Sequence, residues 1–205
     1  MASADKKNNP QRTRPDPRGK ARRREIFRAL HDCVLEQGYV RTTLAHIAKR
    51  AGMSPSHLLY YFKGKEDILE QYFQLVAERF VERLASFEAE SHEEQISSLA
   101  DFWFKSETST RGEIGFMLEC FGAAVHDDSL RVTKGNFDSH CKGHLARIFV
   151  QSPHTTPVNP KESAELAYSM MTGLRSAVYF DDDIDLDEAH HLFHKTVRQM
   201  CGYPN

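Results

Sequence analysis

The sequence predicts an all-α protein: a three-helix head containing a helix-turn-helix, followed by a larger helical bundle. Three observations predict it. Apolar residues recur every three to four positions along most of the chain. Capping residues and glycines punctuate these runs at helix lengths. Nowhere is there a convincing apolar–polar alternation of the strand type. With 205 residues and 40% apolar composition, the chain can form one large domain or a small domain fused to a larger one.

The elements follow in order. Residues 1–17 hold three prolines, several basic residues and almost no large apolar side chain, the composition of a disordered basic arm. Ile26, Phe27, Leu30, Val34 and Leu35 then fall at helical spacing and predict a helix over 19–37, with Gly38 placed to end it in the left-handed conformation. Thr43 can cap a short helix that carries Leu44, Ile47, Ala48 and Ala51 on one face, and Gly52 supplies its terminating turn. Ser54 caps a second short helix with Pro55 in its first turn, where a missing N–H costs nothing. Neither piece is long enough to be stable alone in water. Tertiary contacts must hold them: Ala48 is small enough for a close crossing, and Met53, Leu58 and Phe62 would seal the pair against helix one.

A long helix is predicted from about 65 to 88, carrying Ile68, Leu69, Tyr72, Phe73, Val76, Phe80 and Leu84. Further helices are expected at 92–108, 112–126, 128–151, 160–180 and 185–201, with a polar connection at 152–160. The domain reading is an arm at 1–17, a helix-turn-helix head at 18–64 and a body at 65–205.

Charge divides along the same boundary. Residues 1–65 contain 15 Lys/Arg against 5 Asp/Glu, and the remaining 140 contain 12 against 24. A basic head of +10 on a body of −12 is an electrostatic footprint for a polyanion, with nucleic acid preferred to membrane because no basic amphipathic face with exposed Trp or Phe accompanies it. The N-terminus lacks the apolar core of a signal peptide, and no segment approaches the ~20 apolar residues of a membrane span, so a soluble, cytoplasmic protein without a membrane partner is expected. Cys33, Cys120, Cys141 and Cys201 lack metal or disulfide spacing and read as reduced, mostly buried thiols.

What remains exposed on the helix pair gives it a use. Ser56, His57 and Tyr60 would point away from the head's core, where side chains can reach base edges in a major groove. Thr43, Ser54 and Pro55 present helix N-termini to phosphates, and Lys65 can do the same for the flanking backbone.

The stretch "TTLAHIAKRAGMSPSHLLYYFKGKEDIL", preceded by a helix ending "EQGY", resembles the DNA-binding domain of the TetR family of bacterial transcriptional regulators over about residues 20–72. Gly38, Thr43, Ile47, Ala48, Gly52, Ser54, Phe62 and Lys65 carry the resemblance in order and spacing. It implies an all-helical homodimer with one DNA-binding head per subunit and a C-terminal domain that binds an effector and dimerises. One position departs from the pattern: Leu59 stands where the family usually has a phosphate-touching tyrosine. Tyr60 takes over that contact or the contact is lost, and Tyr61, beside Phe62, reads as packing. His57 reads a base or lies near the backbone, and Arg12, Arg14, Arg18, Lys20 and Arg22 to Arg24 either enter a minor groove or attract DNA at long range.

Residues 115–131 and 165–180 loosely resemble the C-terminal domains of the BetI branch of the same family, whose namesake responds to choline. Trp103, Phe104, Phe116, Met117, Phe121, Phe137, Met170 and Met171 are candidates to line the pocket of an unknown small-molecule effector, with Trp103, Phe116, Phe121, Phe137 and Met170 foremost, since Met and aromatic side chains adapt to irregular cavities; ordinary core packing is the alternative for each. Glu119 could serve a cationic effector, but a solvated or paired surface position fits it better. The pairs His140/His144 and His190/His194 share helical faces but lack a third ligand, so no metal site or cofactor is predicted. The acidic run "DDDIDLDE" lacks the Gly and Glu of a calcium loop and reads as an interhelical loop with Asp185 as cap.

Leu166, Met170, Gly173, Leu174, Ala177 and Val178, with Leu192, Phe193, Val197 and Met200, exceed what one bundle face requires. By resemblance these two helices pair with a second copy, the alternative being that another helix of the same chain covers them, and the dimer's two-fold axis would be mirrored in a near-palindromic operator of double-stranded DNA. The functional expectation is a ligand-responsive repressor released from its operator by a small molecule. An activator would use the same parts. A small helical enzyme is the remaining class, yet no nucleophile–base set, phosphate-cradling glycine loop or metal spacing supports catalysis.

Overall fold

The computed structural model describes residues 17–107, 109–154 and 159–204, and all the regular structure in them is helical. The head comprises α1 (Pro17–Gln37), α2 (Leu44–Arg50) and α3 (Pro55–Leu58). The body comprises α4 (Lys65–Ser86), α5 (His92–Phe104), α6 (Arg111–Ala124), α7 (Asp128–Val150), α8 (Pro160–Phe180) and α9 (Leu186–Met200), with a 3₁₀ turn at Phe87–Ala89 after α4. The predicted arm at 1–17 lies outside the described residues, apart from the backbone of Pro17, which opens α1 two residues earlier than expected. The middle of the polar 152–160 connection, residues 155–158, lies outside them as well.

Local chemistry explains the head's punctuation. The Thr43 hydroxyl accepts from His46 N–H at 3.2 Å and the Ser54 hydroxyl from His57 N–H at 3.2 Å, so each short helix has one orphan donor satisfied at its start. Gly52 adopts φ +65° between them, where a side chain would be strained. Length cannot hold these helices, and burial does: Ile26 and Leu30 of α1 meet Ile47, Ala48, Leu58 and Phe62 in a core from which solvent is almost fully excluded. The rings of Phe27 and Phe62 lie 5.4 Å apart, and the Arg23 guanidinium covers the outer side of Phe62 at 4.8 Å.

In the body, α7 packs on α8 and α4, while α9 lies against α5 and α8. Caps again mark the starts: Ser91 and Glu94 form a reciprocal capping box on α5, and Asp185 accepts from Glu188 N–H at 2.9 Å on α9. Two expectations are corrected. The helix predicted over 92–108 stops at Phe104, because the Ser109 hydroxyl donates to the Trp103 carbonyl at 3.1 Å and closes the chain into a turn. Val178, Phe193 and Val197, grouped by sequence with a partner-facing surplus, are buried within this chain, since α9 packs on α5 and sets Phe193 5.6 Å from Phe104. Leu166, Gly173 and Phe180 stay exposed on α8. All four cysteines are buried and free, and burial raises the thiols of Cys141 and Cys201 to about 12.

Two glycines separate backbone strain from packing. A Cβ at Gly52 or at Gly135, inside α7, would meet no atom within 4 Å. Gly52→Ala is expected to destabilise by about 1 kcal/mol through its left-handed backbone, and Gly135→Ala to stabilise by up to about 1 kcal/mol through lost unfolded-state entropy. Urea midpoints of equal sign for the two variants would refute this account.

Candidate nucleic-acid interface and effector cavity

The capped pair presents one outward surface. Thr43, Ser54, Pro55, Ser56 and His57 are exposed, and Tyr60, 82% accessible, projects from the turn that continues α3. The Tyr60 and Tyr61 rings meet edge to face at 5.2 Å and the His57 ring packs 5.5 Å from Tyr61, so the partly buried Tyr61 braces its two neighbours. Leu59 is half exposed and offers no hydroxyl. Lys65 turns inward: its ammonium donates to the Tyr39 carbonyl at 3.0 Å and sits 4.2 Å above the Tyr39 ring. It fastens the start of α4 to the loop after α1.

Two carboxylates on α6 hold the body to α1. Glu119 accepts from Tyr39 N–H at 3.2 Å, and its oxygen would lie 3.1 Å from any Cβ at position 38, where Gly38 adopts φ +80°. Glu113 accepts from His31 Nε2 at 3.0 Å, while His31 Nδ1 lies 3.6 Å from Asp32. The hydrogen bond to Glu113 raises the His31 imidazole above its ordinary 6.5, against the lowering effect of burial. Phe116, one turn after Glu113, packs its ring 4.7 Å from His31 and 5.5 Å from Tyr72 of α4.

Behind this seam lies a cavity of roughly 310 Å³ between α4, α5, α6, α7 and α8. That is the lower end of the ~300–1,000 Å³ typical of ligand pockets. Its walls are mainly aromatic: Phe80 stands 4.7 Å from Trp103 and 5.2 Å from Phe137. Trp103, Phe116, Phe121 and Phe137 all line it, and Trp103, Phe116 and Phe137 belong to the buried core as well. Met170 does not line it. It lies half-buried away from the cavity, and its neighbour Met171 lines it instead, because one residue along a helix turns the side chain by about 100°.

Sequence reasoning missed Tyr72, Arg79, Glu113, Tyr168 and Arg175, which also line the cavity. Tyr168 donates to Asp138 at 2.5 Å. Arg175 donates to the Trp103 carbonyl, and burial lowers it to about 10. A signal for Arg175 was present, since it is the lone charge in the apolar run "MMTGLRSAVYF". The histidine pairs are engaged separately: His190 contacts Asp101 at 2.8 Å, His194 contacts Ser97 at 3.1 Å and His140 contacts the Asn136 carbonyl at 2.7 Å. Among the described residues no group of three His, Cys, Asp or Glu side chains is placed to hold a metal, and no helix is long and apolar enough to cross a membrane.

Comparison with known proteins agrees with this geometry. Residues 26–72 match the family described as "Bacterial regulatory proteins, tetR family", and residues 92–202 match "BetI-type transcriptional repressor, C-terminal". The HTH-type transcriptional regulator BetI 1 of Chromohalobacter salexigens is 27% identical over 186 residues, covering 88% of this chain and 91% of that protein. The fatty acid metabolism regulator protein of Bacillus subtilis is 37% identical over 60 residues, a match confined to 29% of this chain and 31% of that protein. A crystal structure of a transcriptional regulator from Saccharomonospora viridis in complex with choline superposes with a TM-score of 0.79 at 16% identity, covering 87% of this chain and 96% of that one. A TetR transcription regulator from Haloarcula marismortui gives 0.78 at 20% identity, covering 89% and 97%. With a capped helix pair on a basic head and family matches across both head and body, this chain belongs to the TetR family as a DNA-binding transcriptional regulator with a BetI-type C-terminal domain.

Proposed function

We propose that the protein is a ligand-responsive repressor that binds a near-palindromic operator as a homodimer in the cytoplasm and leaves it when a small molecule fills the aromatic cavity. One observation carries the ligand dependence: Glu113 lines the cavity and at the same time holds His31 on α1 of the head. A ligand that moves Glu113 or Phe116 therefore acts on the element against which α2 is packed, with α3 packed in turn on α2. The linkage is reciprocal, so a ligand that favours the off-DNA arrangement lowers operator affinity by the same factor that the operator lowers ligand affinity.

In this reading residues 18–64 form the DNA-binding head and 65–205 the effector-binding and dimerising body. Thr43, Ser54, Pro55, Ser56, His57 and Tyr60 form the DNA surface, and Lys65 contributes through the loop it anchors. The exposed apolar face of α8, from Leu166 through Gly173 to Phe180, meets its counterpart in the second copy. Trp103, Phe116, Phe121 and Phe137 contact the effector, and Met170 belongs with the dimer face.

The double variant Thr43→Ala, Tyr60→Ala is expected to bind the DNA upstream of the protein's own gene on the order of 100-fold more weakly, about tenfold for each lost contact. Binding at several salt concentrations with random DNA as control measures this, and unchanged affinity with native helicity would remove these residues from the contact surface. The seam gives a pH prediction. Because His31 is raised in the folded state, its stabilisation is complete below about 6.5 and is lost as pH rises through the folded value. His31→Gln is thus expected to lose about 1 kcal/mol relative to the unmodified protein near pH 5.5 and almost nothing near pH 9. The lowered histidines His144 and His194 act in the opposite direction but cancel in the difference. A difference that grows with pH would contradict the seam's charge state.

A further inference from the structure

The cavity's charge and its aromatic lining point to different ligands. Aromatic faces attract cations, and a quaternary ammonium is the ligand such walls ordinarily hold. The charged groups here oppose that choice. Arg79 of α4 and Arg175 of α8 both line the cavity, Arg79 exposed to solvent and Arg175 the more buried of the two. Among the described residues, neither guanidinium lies within ion-pair distance of a carboxylate. Glu113 is the acidic side chain in the described lining, and it is already bonded to His31. Lys134, which lies 4.4 Å from the Phe121 ring, is neutralised by Asp138 at 2.6 Å and adds nothing to the balance. The cavity is therefore electropositive.

Arg175 sharpens the point. Its guanidinium is held against the Trp103 carbonyl, at the C-terminal end of α5, where that oxygen also accepts from Ser109. Burial disfavours its charge, with Glu113 the carboxylate that counters the effect from a distance. A buried cation without a partner is costly, and a ligand carboxylate can supply two parallel hydrogen bonds to a guanidinium fork.

Resting on the reading of this cavity as the effector site, we infer that its ligand is a small organic carboxylate, with the acid group on Arg175 and an apolar or aromatic body against Phe80, Trp103 and Phe137. A quaternary ammonium is disfavoured there because it would share the space with the buried Arg175 guanidinium, which among the described residues has no carboxylate within ion-pair distance. The BetI-type C-terminal domain of this chain would then respond to an anion.

The chain supplies its own reporter, because its one tryptophan, Trp103, stands in the cavity wall. Tryptophan fluorescence of the full-length protein is titrated at neutral pH with 4-phenylbutyrate, the neutral 4-phenylbutanamide and choline. The expected result is a saturable change with the acid, binding on the order of tenfold weaker for the amide, and no saturable change with choline over the same range. Arg175→Met is expected to bring acid and amide to equal affinity, and Arg175→Lys to keep part of the preference for the acid. An amide that binds as well as the acid, choline that binds more tightly, no saturable response to the acid, or an unchanged acid-to-amide ratio in folded Arg175→Met would each overturn the proposal. Operator binding by the unliganded, unmodified protein is measured separately. Its failure would bring down the repressor reading and leave the acid preference standing.

Discussion

The head and the body meet at α1, which is held from two sides. On one side it supports α2 and α3, which are too short to persist without the core that Ile26, Leu30 and Phe62 close. On the other side α6 grips it through Glu113 to His31 and Glu119 to the backbone of Tyr39. Lys65 adds a third hold on the Tyr39 loop from the start of α4. The helix pair is thus attached to a helix whose position the body sets.

The same arrangement explains why the cavity lies where it does. Tyr72 and Phe116 belong at once to the cavity wall and to the ring cluster around His31, so the cavity and the contact to α1 share side chains. Close-packed aromatic groups move as units rather than deforming gradually, which makes such a wall suited to two alternative arrangements. Polar contacts at this seam are few and partly exposed, and the His31 imidazole is 15% accessible, which keeps the cost of rearranging it modest.

Electrostatics sorts the surfaces by partner. A head of +10 suits a polyanion, the body carries −12, and Leu166 and Phe180 leave apolar surface exposed on α8. Inside the body the pattern inverts, with two arginines facing a cavity whose acidic group is engaged elsewhere. Net charge alone would have hidden both features, since it sums to −2.

Much of the fold was legible because it is written in short-range chemistry. Thr43, Ser54 and Asp185 cap helices through donors three residues away, and Gly38 and Gly52 end helices through their own backbone freedom. The sequence by itself therefore determined the helix order, the helix-turn-helix and the outward surface around Tyr60. The tertiary structure alone decided what depends on distant partners: that Glu113 meets His31 across 82 positions, that Arg175 meets Trp103 across 72, that Met171 rather than Met170 lines the cavity, and that Phe193 and Val197 are core. The physical reason is geometric. Helical periodicity marks which side chains share a face, but the rotation and neighbours of that face are fixed only when the other helices pack against it.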